Sequence, residues 1–341
     1  MADMNDHTAI YTSLETMGLL EPGERPMLQP MTGGVSSEVY KVDIDGRTLC
    51  VKRALPKLQV KKDWRAPVER SRYEAAWMRL ANGILPSIAP ELVADDPVGL
   101  VIAMAYLPPS DYPLWKDQLK SGVADATVAA RVGQALVTLH AATAGDADVQ
   151  AQFEGTDVFF HALRIDAYLL EAARVQPSVA ARLEAMAERT AIARIALVHG
   201  DFSPKNMLIG PDGPVILDSE TATFGDPAFD LAFCLNHLLL KCVWHPEWTC
   251  DYLDCFNALM ENYLKGVTWE PREEIESRSV ALLSGLLLAR VDGKSPVEYV
   301  TDPARQDRVR QCAMGWLRHA PASLADMQAQ WRELWAEDKG E

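Results

Sequence analysis

The sequence predicts an α+β chain in two parts, a small β-rich first part with one main helix and a larger, mostly helical second part. Three observations carry this reading. Apolar and polar residues alternate with period two over 39–53, around an Asp45-Gly46 turn. Beyond about residue 110, apolar residues recur at helical spacing over most of the chain. Pro108-Pro109 punctuates the change. The boundary falls accordingly between 1–105 and 106–341, with a hinge near 104–109.

Residues 1–30 read as a short helix and a connector holding Pro22, Pro26 and Pro30. Runs 39–44 and 47–53 are strands, and Asp45-Gly46 is a pair suited to the tight turn between them. Residues 66–82 place Tyr73, Trp77 and Leu80 at helical spacing. Two short apolar runs follow at 91–94 and 99–107, the second stopped by the proline pair. Helices are expected at 124–143, 161–173 and 178–192, then strand-like runs at 194–198, 207–209 and 214–217. Helices resume at 227–243, 249–265, 271–291 and 303–318. The last segment aligns Leu324, Met327, Trp331, Leu334 and Trp335 on one stripe, which predicts docking on the main body.

With 341 residues, 48% hydrophobic and 24% charged, the chain can bury a sizeable core, so disorder as the main state is excluded. Its 20 glycines and 21 prolines are scattered, which excludes collagen-like repeats. A net charge of −15 argues against nucleic acid and against an anionic membrane as partners. The acidity is uneven: nine Lys/Arg lie between Arg47 and Arg72 against Asp63 and Glu69. That stretch is a solvated face or a positive wall beside an anionic ligand. Six cysteines form no C-x-x-C pair, so neither a zinc site nor a disulfide framework is expected. Residues 1–11 carry Asp3 and Asp6 and no apolar run, unlike a signal peptide. The longest apolar stretches, 231–235 and 281–289, fall short of the ~20 residues of a membrane span. The expectation is a cytoplasmic, reduced chain.

The chemistry is densest at Leu197-Val198-His199-Gly200-Asp201-Phe202-Ser203-Pro204-Lys205-Asn206, followed by Asp218-Ser219-Glu220 and Gly225-Asp226-Pro227-Ala228-Phe229-Asp230. An apolar strand delivers Asp201 into a turn, and Asn206, five residues on, returns to the same place. A second strand delivers Asp218 and Glu220 on one face, because strand residues two apart share a side. Three acidic groups and an amide converge, with Lys205 the cation among them. Hard oxygen donors of this kind suit Mg²⁺, which keeps waters and bridges phosphate oxygens. A spare carboxylate then accepts the proton of a nucleophilic hydroxyl, as kinase-type phosphoryl transfer requires. Asp226, before Pro227, is an N-cap or a substrate contact. His199 reads as a structural hydrogen-bonding residue, and Ser203 and Lys205 are candidates to face a γ-phosphate.

H-G-D-x-x-x-x-N, then D-x-E, then G-D-P-x-x-D-L-A resembles the aminoglycoside phosphotransferase/choline kinase superfamily over about residues 30–320. The resemblance implies a bilobal protein-kinase-like fold, ATP and Mg²⁺ as cofactors, and a small-molecule hydroxyl acceptor. It implies Asp201 as catalytic base, Asn206 and Asp218 as Mg²⁺ ligands with Glu220 joining them, and Asp230 as the buried carboxylate bracing the catalytic loop. It casts Thr32-Gly33-Gly34-Val35-Ser36-Ser37 as the phosphate-covering loop, in which small residues admit backbone N–H groups and Ser36 and Ser37 add hydroxyls. Lys52 resembles the phosphate-gripping lysine, with Glu74, or in another register Glu69, as its partner. Ala105 and Leu107 would offer backbone contacts to adenine. Gly200 stands where protein kinases carry the arginine that reads a phosphorylated activation loop, so a protein substrate is disfavoured. The retained Lys52, Asp201, Asn206 and Asp218 argue against a nucleotide-binding protein without activity.

Residues 51–75 and the D-x-E are similar to methylthioribose kinases, where a tryptophan-bearing loop lies near the nucleotide; Trp64 is that residue or a packing aromatic. The chain departs from those kinases in showing only Arg290 where a pair of arginines is expected. Arg290 and Asp292, at the end of a late helix, are substrate contacts or surface ion-pairing groups. A sugar-like acceptor stands first, with an aminoglycoside or an amino alcohol such as choline or ethanolamine as alternatives.

Overall fold

The computed structural model describes residues 7–31, 37–55 and 68–336. Gly33, Gly34, Ser36 and Trp64 lie outside the described residues. The chain divides into two compact units, Met1–Pro108 and Pro109–Glu341.

In the first unit, α1 (Thr8–Thr16) precedes β1 (Gln29–Pro30), β2 (Ser37–Ile44) and β3 (Arg47–Ala54). After α2 (Arg70–Ile84) come β4 (Leu92–Asp96) and β5 (Val101–Ala105). The five strands form one antiparallel sheet in the order β1-β2-β3-β5-β4. β2 and β3 pair from Ser37↔Ala54 to Ile44↔Arg47. Their turn has φ 49° at Asp45 and 75° at Gly46, the two positive values that a two-residue hairpin matching the strand twist demands. Ile10 and Leu14 of α1 pack with Val42, Leu49, Val51 and Val101 in one core. The inward stripe of α2 is Ser71, Glu74, Ala75, Met78 and Ala81. A carboxylate on such a stripe needs a partner, and Lys52 of β3 supplies it.

The second unit opens with α3 (Trp115–Lys120) and α4 (Ala126–Thr143). Asp125 caps α4 by accepting from the Thr127 N–H at 2.7 Å. α5 (Ala147–Gln152) follows, then α6 (Asp157–Phe160), which runs into a π-helical segment, His161–Leu170, and on into α7 (Glu171–Val175). α8 (Ala180–Ile192) leads to two small antiparallel ribbons. β6 (Ala196–Val198) pairs with β9 (Thr223–Gly225), and β7 (Met207–Ile209) pairs with β8 (Pro214–Ile216). These ribbons hold the loops at 199–206 and 217–222. α9 (Ala228–Trp244) is buried from Ala228 to Val243 and forms the axis of the unit.

Around this axis lie α10 (Thr249–Lys265), α11 (Arg272–Asp292), α12 (Pro303–Arg318) and α13 (Leu324–Ala336). The α13 stripe docks as its spacing predicts. Leu324, Met327, Trp331 and Trp335 are buried, and the Trp331 indole N–H donates to the Leu239 carbonyl at 3.1 Å. Leu334 is only half-buried. No described helix is long and apolar enough to cross a membrane.

Candidate active site

The loop after β6 is held from below by α9. Asp230, in the first turn of that helix, accepts from the backbone N–H of His199 at 2.6 Å and of Gly200 at 2.8 Å. The His199 ring is used on both sides. Its Nδ1 accepts from the Asp201 N–H at 3.1 Å and its Nε2 donates to the Leu217 carbonyl at 3.0 Å. This fixes a neutral tautomer, and burial lowers its pKa in the same sense. Gly200 has φ 77°, and a Cβ there would stand 2.7 Å from the Thr221 carbonyl oxygen. The glycine therefore has a local backbone cause.

Asp201 is 3% exposed, and its two carboxylate oxygens are used unequally. Oδ2 meets the Arg164 guanidinium at 3.0 Å, the Lys205 ammonium at 2.8 Å and the Asn206 amide nitrogen at 2.9 Å. Oδ1 is buried and has no hydrogen-bond partner among the described residues. Burial acts to raise the Asp201 pKa, but Arg164 and Lys205 outweigh it, against the opposing charge of Asp218. The carboxyl is thereby held below the ordinary carboxylate value and is ionised at neutral pH.

Lys205 is thus not the sole cation of the site. Arg164 comes from the π-helical segment and also donates to the Gly200 carbonyl and, at 3.4 Å, to the Thr221 hydroxyl. Sequence reasoning missed it. Its signal was an arginine four residues from both Phe160 and Tyr168, on a face otherwise apolar.

The Asn206 amide nitrogen donates to the Asp201 carbonyl at 3.0 Å as well as to its carboxylate, leaving the amide oxygen as the donor for a cation. Asp218 adopts φ 62°, a left-handed conformation that costs a non-glycine residue on the order of 1–3 kcal/mol and collects at functional sites. Burial acts to lower the Arg164 pKa, but Asp201, which it contacts at 3.0 Å, then Tyr168 and the charges of Glu220 and Asp218 raise it. Among the described residues no group of three or more His, Cys, Asp or Glu is arranged to hold a metal ion alone. An amide oxygen with one or two carboxylates instead fits a hard cation that completes its shell with water and phosphate oxygens.

In the first unit, Lys52 and Glu74 meet at 2.8 Å and both are buried. Glu74, not Glu69, is the partner. Ser37 is buried, and its hydroxyl has no partner among the described residues. The Ala105 N–H donates to the Glu91 carbonyl at 2.9 Å, so Ala105 can meet a ligand only through its carbonyl. Leu107 follows the end of β5.

The remaining substrate candidates divide. Asp226 stands one residue before Pro227, the N-cap position of α9. Its Oδ1 accepts from the Ala228 N–H at 3.0 Å, and Arg278 donates to Oδ2 at 3.0 Å while also holding Glu270. Asp292 takes the ion-pairing role. Arg310 engages both its oxygens at 2.7 to 3.1 Å, and Gln176 donates to Oδ2 at 2.7 Å. Arg290 is different. It donates to the Tyr168 hydroxyl at 3.1 Å and to the Ser295 carbonyl, and its Nε has no partner among the described residues.

The model of the phosphotransferase enzyme family matches residues 28–254. Methylthioribose kinase 1 of Oryza sativa subsp. japonica is 25% identical over 230 residues, covering 59% of this chain and 53% of that protein. The chain therefore spans about half the length of the curated relatives it matches. Among solved structures, an ethanolamine kinase of Plasmodium vivax superposes with a TM-score of 0.55 at 15% identity, covering 92% of this chain and 90% of that one. A choline kinase from Cryptosporidium parvum Iowa II superposes with a TM-score of 0.51 at 15% identity, covering 89% and 93%. The two structures share the fold. Matched by the family model over more than half its length, the chain belongs to the phosphotransferase enzyme family.

Proposed function

We propose that this chain is a cytoplasmic, ATP- and Mg²⁺-dependent kinase that phosphorylates a hydroxyl group of a small molecule. The observation that carries the reading is the divided carboxylate of Asp201. Three donors anchor Oδ2, and the buried Oδ1 is left to meet a group from outside the chain. An anchored carboxylate aims its second oxygen with little entropy left to lose.

In the reaction, Oδ1 accepts the proton of the acceptor hydroxyl. The hydroxyl oxygen forms its bond to the γ-phosphorus, and the bond from that phosphorus to the β,γ-bridging oxygen breaks, so that ADP leaves. Asn206 and Asp218, with Glu220, are the residues that would hold Mg²⁺, which when bound supplies charge neutralisation on the phosphates. Lys52, oriented by Glu74, grips phosphate oxygens. The family membership and the names of the matched kinases support a small-molecule acceptor, with a sugar-like one placed first. Six free cysteines suit a reducing compartment, and the net charge of −15 speaks against nucleic acid as a partner.

The test is Mg²⁺-dependent ADP release across sugars, methylthioribose, aminoglycosides, choline and ethanolamine, with Asp201→Asn alongside. Stimulation by one acceptor that disappears in the variant supports the reading. Stimulation that survives in the variant contradicts the role given to Asp201.

A further inference from the structure

α9 carries polar groups that phosphoryl transfer does not use. Asp230, Phe233, His237 and Lys241 follow at three- and four-residue spacing along one face. Asp230 grips the catalytic loop, and His237 lies on the order of 10 Å further along the helix at about 1.5 Å per residue. Phe233 ties this row to the site. Its ring centroid is 6.0 Å from the Arg164 guanidinium carbon, 5.6 Å from the Tyr168 ring and 5.4 Å from the His237 ring. Tyr168 in turn accepts from Arg290. Beyond His237, the Lys241 ammonium sits 4.3 Å from the Trp244 ring centroid and 4.4 Å from that of Tyr299.

The charges here do not balance. Lys241 is 1% exposed and Arg290 7%, and neither forms an ion pair with a carboxylate among the described residues. Glu298, a nearby candidate, is exposed and engaged by Lys116 at 2.5 Å. The Arg290 Nε, the His237 Nε2 and the Tyr299 hydroxyl have no hydrogen-bond partner among the described residues. Burial, and after it the charges of Arg290, Lys241, Lys205 and Lys116, drives His237 well below its ordinary pKa. Lys205 is paired with Asp201, so the uncompensated positive groups of this row are Arg290 and Lys241. Two buried basic groups without carboxylate partners, beside orphaned polar atoms, are costly unless an anion completes them and holds the Lys241 proton in place.

We propose that the acceptor phosphorylated at Asp201 is an anionic hydroxy compound, whose carboxylate or phosphate group is seated on Lys241 and Arg290 beside His237. The proposal rests on the kinase reading above and names its substrate class. It places a hydroxy acid ahead of an aminoglycoside or an amino alcohol, because a cationic acceptor meets repulsion on this face. The acidity of the whole chain does not weigh against it, since Asp226 and Asp292 are already spent on Arg278 and Arg310.

Binding is read first, without turnover. Thermal unfolding of the nucleotide-free protein is compared in chloride, malonate and inorganic phosphate at equal ionic strength. Malonate or phosphate should raise the melting temperature by about 2 °C or more, and Lys241→Met should abolish that shift. The anion that acts tells a carboxylate site from a phosphate site. A wild-type protein that melts alike in all three, or a shift that persists in Lys241→Met, overturns the proposal. Turnover is read second, as ADP release with gluconate, glucose 6-phosphate, glucose and glucosamine. An acid or phosphate should be preferred, with Lys241→Met raising its KM about tenfold or more and sparing the KM for ATP. Preference for glucose or glucosamine overturns the proposal. A Lys241-dependent anion shift with no turnover of any of the four counts against the kinase reading and leaves the anion site standing.

Discussion

The Arg164 guanidinium lies 3.0 Å from the Asp201 carboxylate, and both groups are buried. The pair joins the π-helical segment to the loop after β6. It occupies one oxygen of Asp201, while the other has no hydrogen-bond partner among the described residues. A π-helical stretch is rare and frequently marks a functional site, and here it aims Arg164 at Asp201 and Tyr168 at Arg290.

Asp201→Asn keeps the shape of the side chain and removes the carboxylate proposed as base. Turnover should fall by about 10²- to 10⁴-fold, measured as ADP release, while ATP binding measured by calorimetry stays near wild type. A large loss of ATP affinity would instead assign Asp201 to the metal or to the fold.

Arg164→Met strips one counter-charge from a buried carboxylate. Breaking such a pair costs about 3–5 kcal/mol, read from urea unfolding. Adding Asp201→Asn should restore part of the loss, because the bared charge is then gone. Strictly additive losses would show that the two residues are not coupled.

Gly200→Ala places a Cβ 2.7 Å from the Thr221 carbonyl at φ 77°. The strain should cost on the order of 1–3 kcal/mol and shift Asp201, so both melting temperature and turnover drop. Wild-type values for both would mean that the loop relaxes without consequence.

Lys52→Ala and Glu74→Ala should each raise the KM for ATP about tenfold or more, since charge-assisted contacts are the strong ones. The double variant should be little worse than Lys52→Ala, because Glu74 acts through Lys52 across a 2.8 Å contact. Multiplying effects would assign Glu74 an independent role.

Burial first, then Lys116, pushes the Lys241 ammonium down to about 7 from an ordinary 10.5, with Lys120 adding to the push and Glu298 and Asp117 opposing it. Between those values the unfolded chain holds a proton that the folded chain has shed. Stability therefore rises with pH across that window, by up to about 1.4 kcal/mol per pH unit from this group. Lys241→Met should remove that slope and be the more stable protein at and below pH 7. Parallel wild-type and variant curves from urea unfolding against pH would refute the assignment.

Legibility followed locality. The β2–β3 hairpin was readable because its turn residues and its alternation lie in one short stretch, and α13 because four buried side chains share one stripe. The Asp201–Asn206 approach follows from five-residue spacing around a turn. α3, α5 and β9 escaped, since runs of six, six and three residues complete too little of a period to register. Of the helix pattern beginning at 66, residues 66 and 67 lie outside the described residues, and α2 runs from Arg70.

By itself the sequence determined the two-part α+β chain, its hairpin, the stripe of α13 and the set of residues in the loop around Asp201. Only the tertiary structure decided which charges meet. It brought Arg164 to Asp201, Arg278 to Asp226 and Arg310 to Asp292, and it buried Lys241 and Arg290 without carboxylate partners among the described residues. The physical reason is range. Periodicity records how one element shares its faces between core and water, whereas ion pairing acts through space between elements far apart in the chain. An arginine on a helix face reads the same in sequence whether it will meet water, a carboxylate or a ligand.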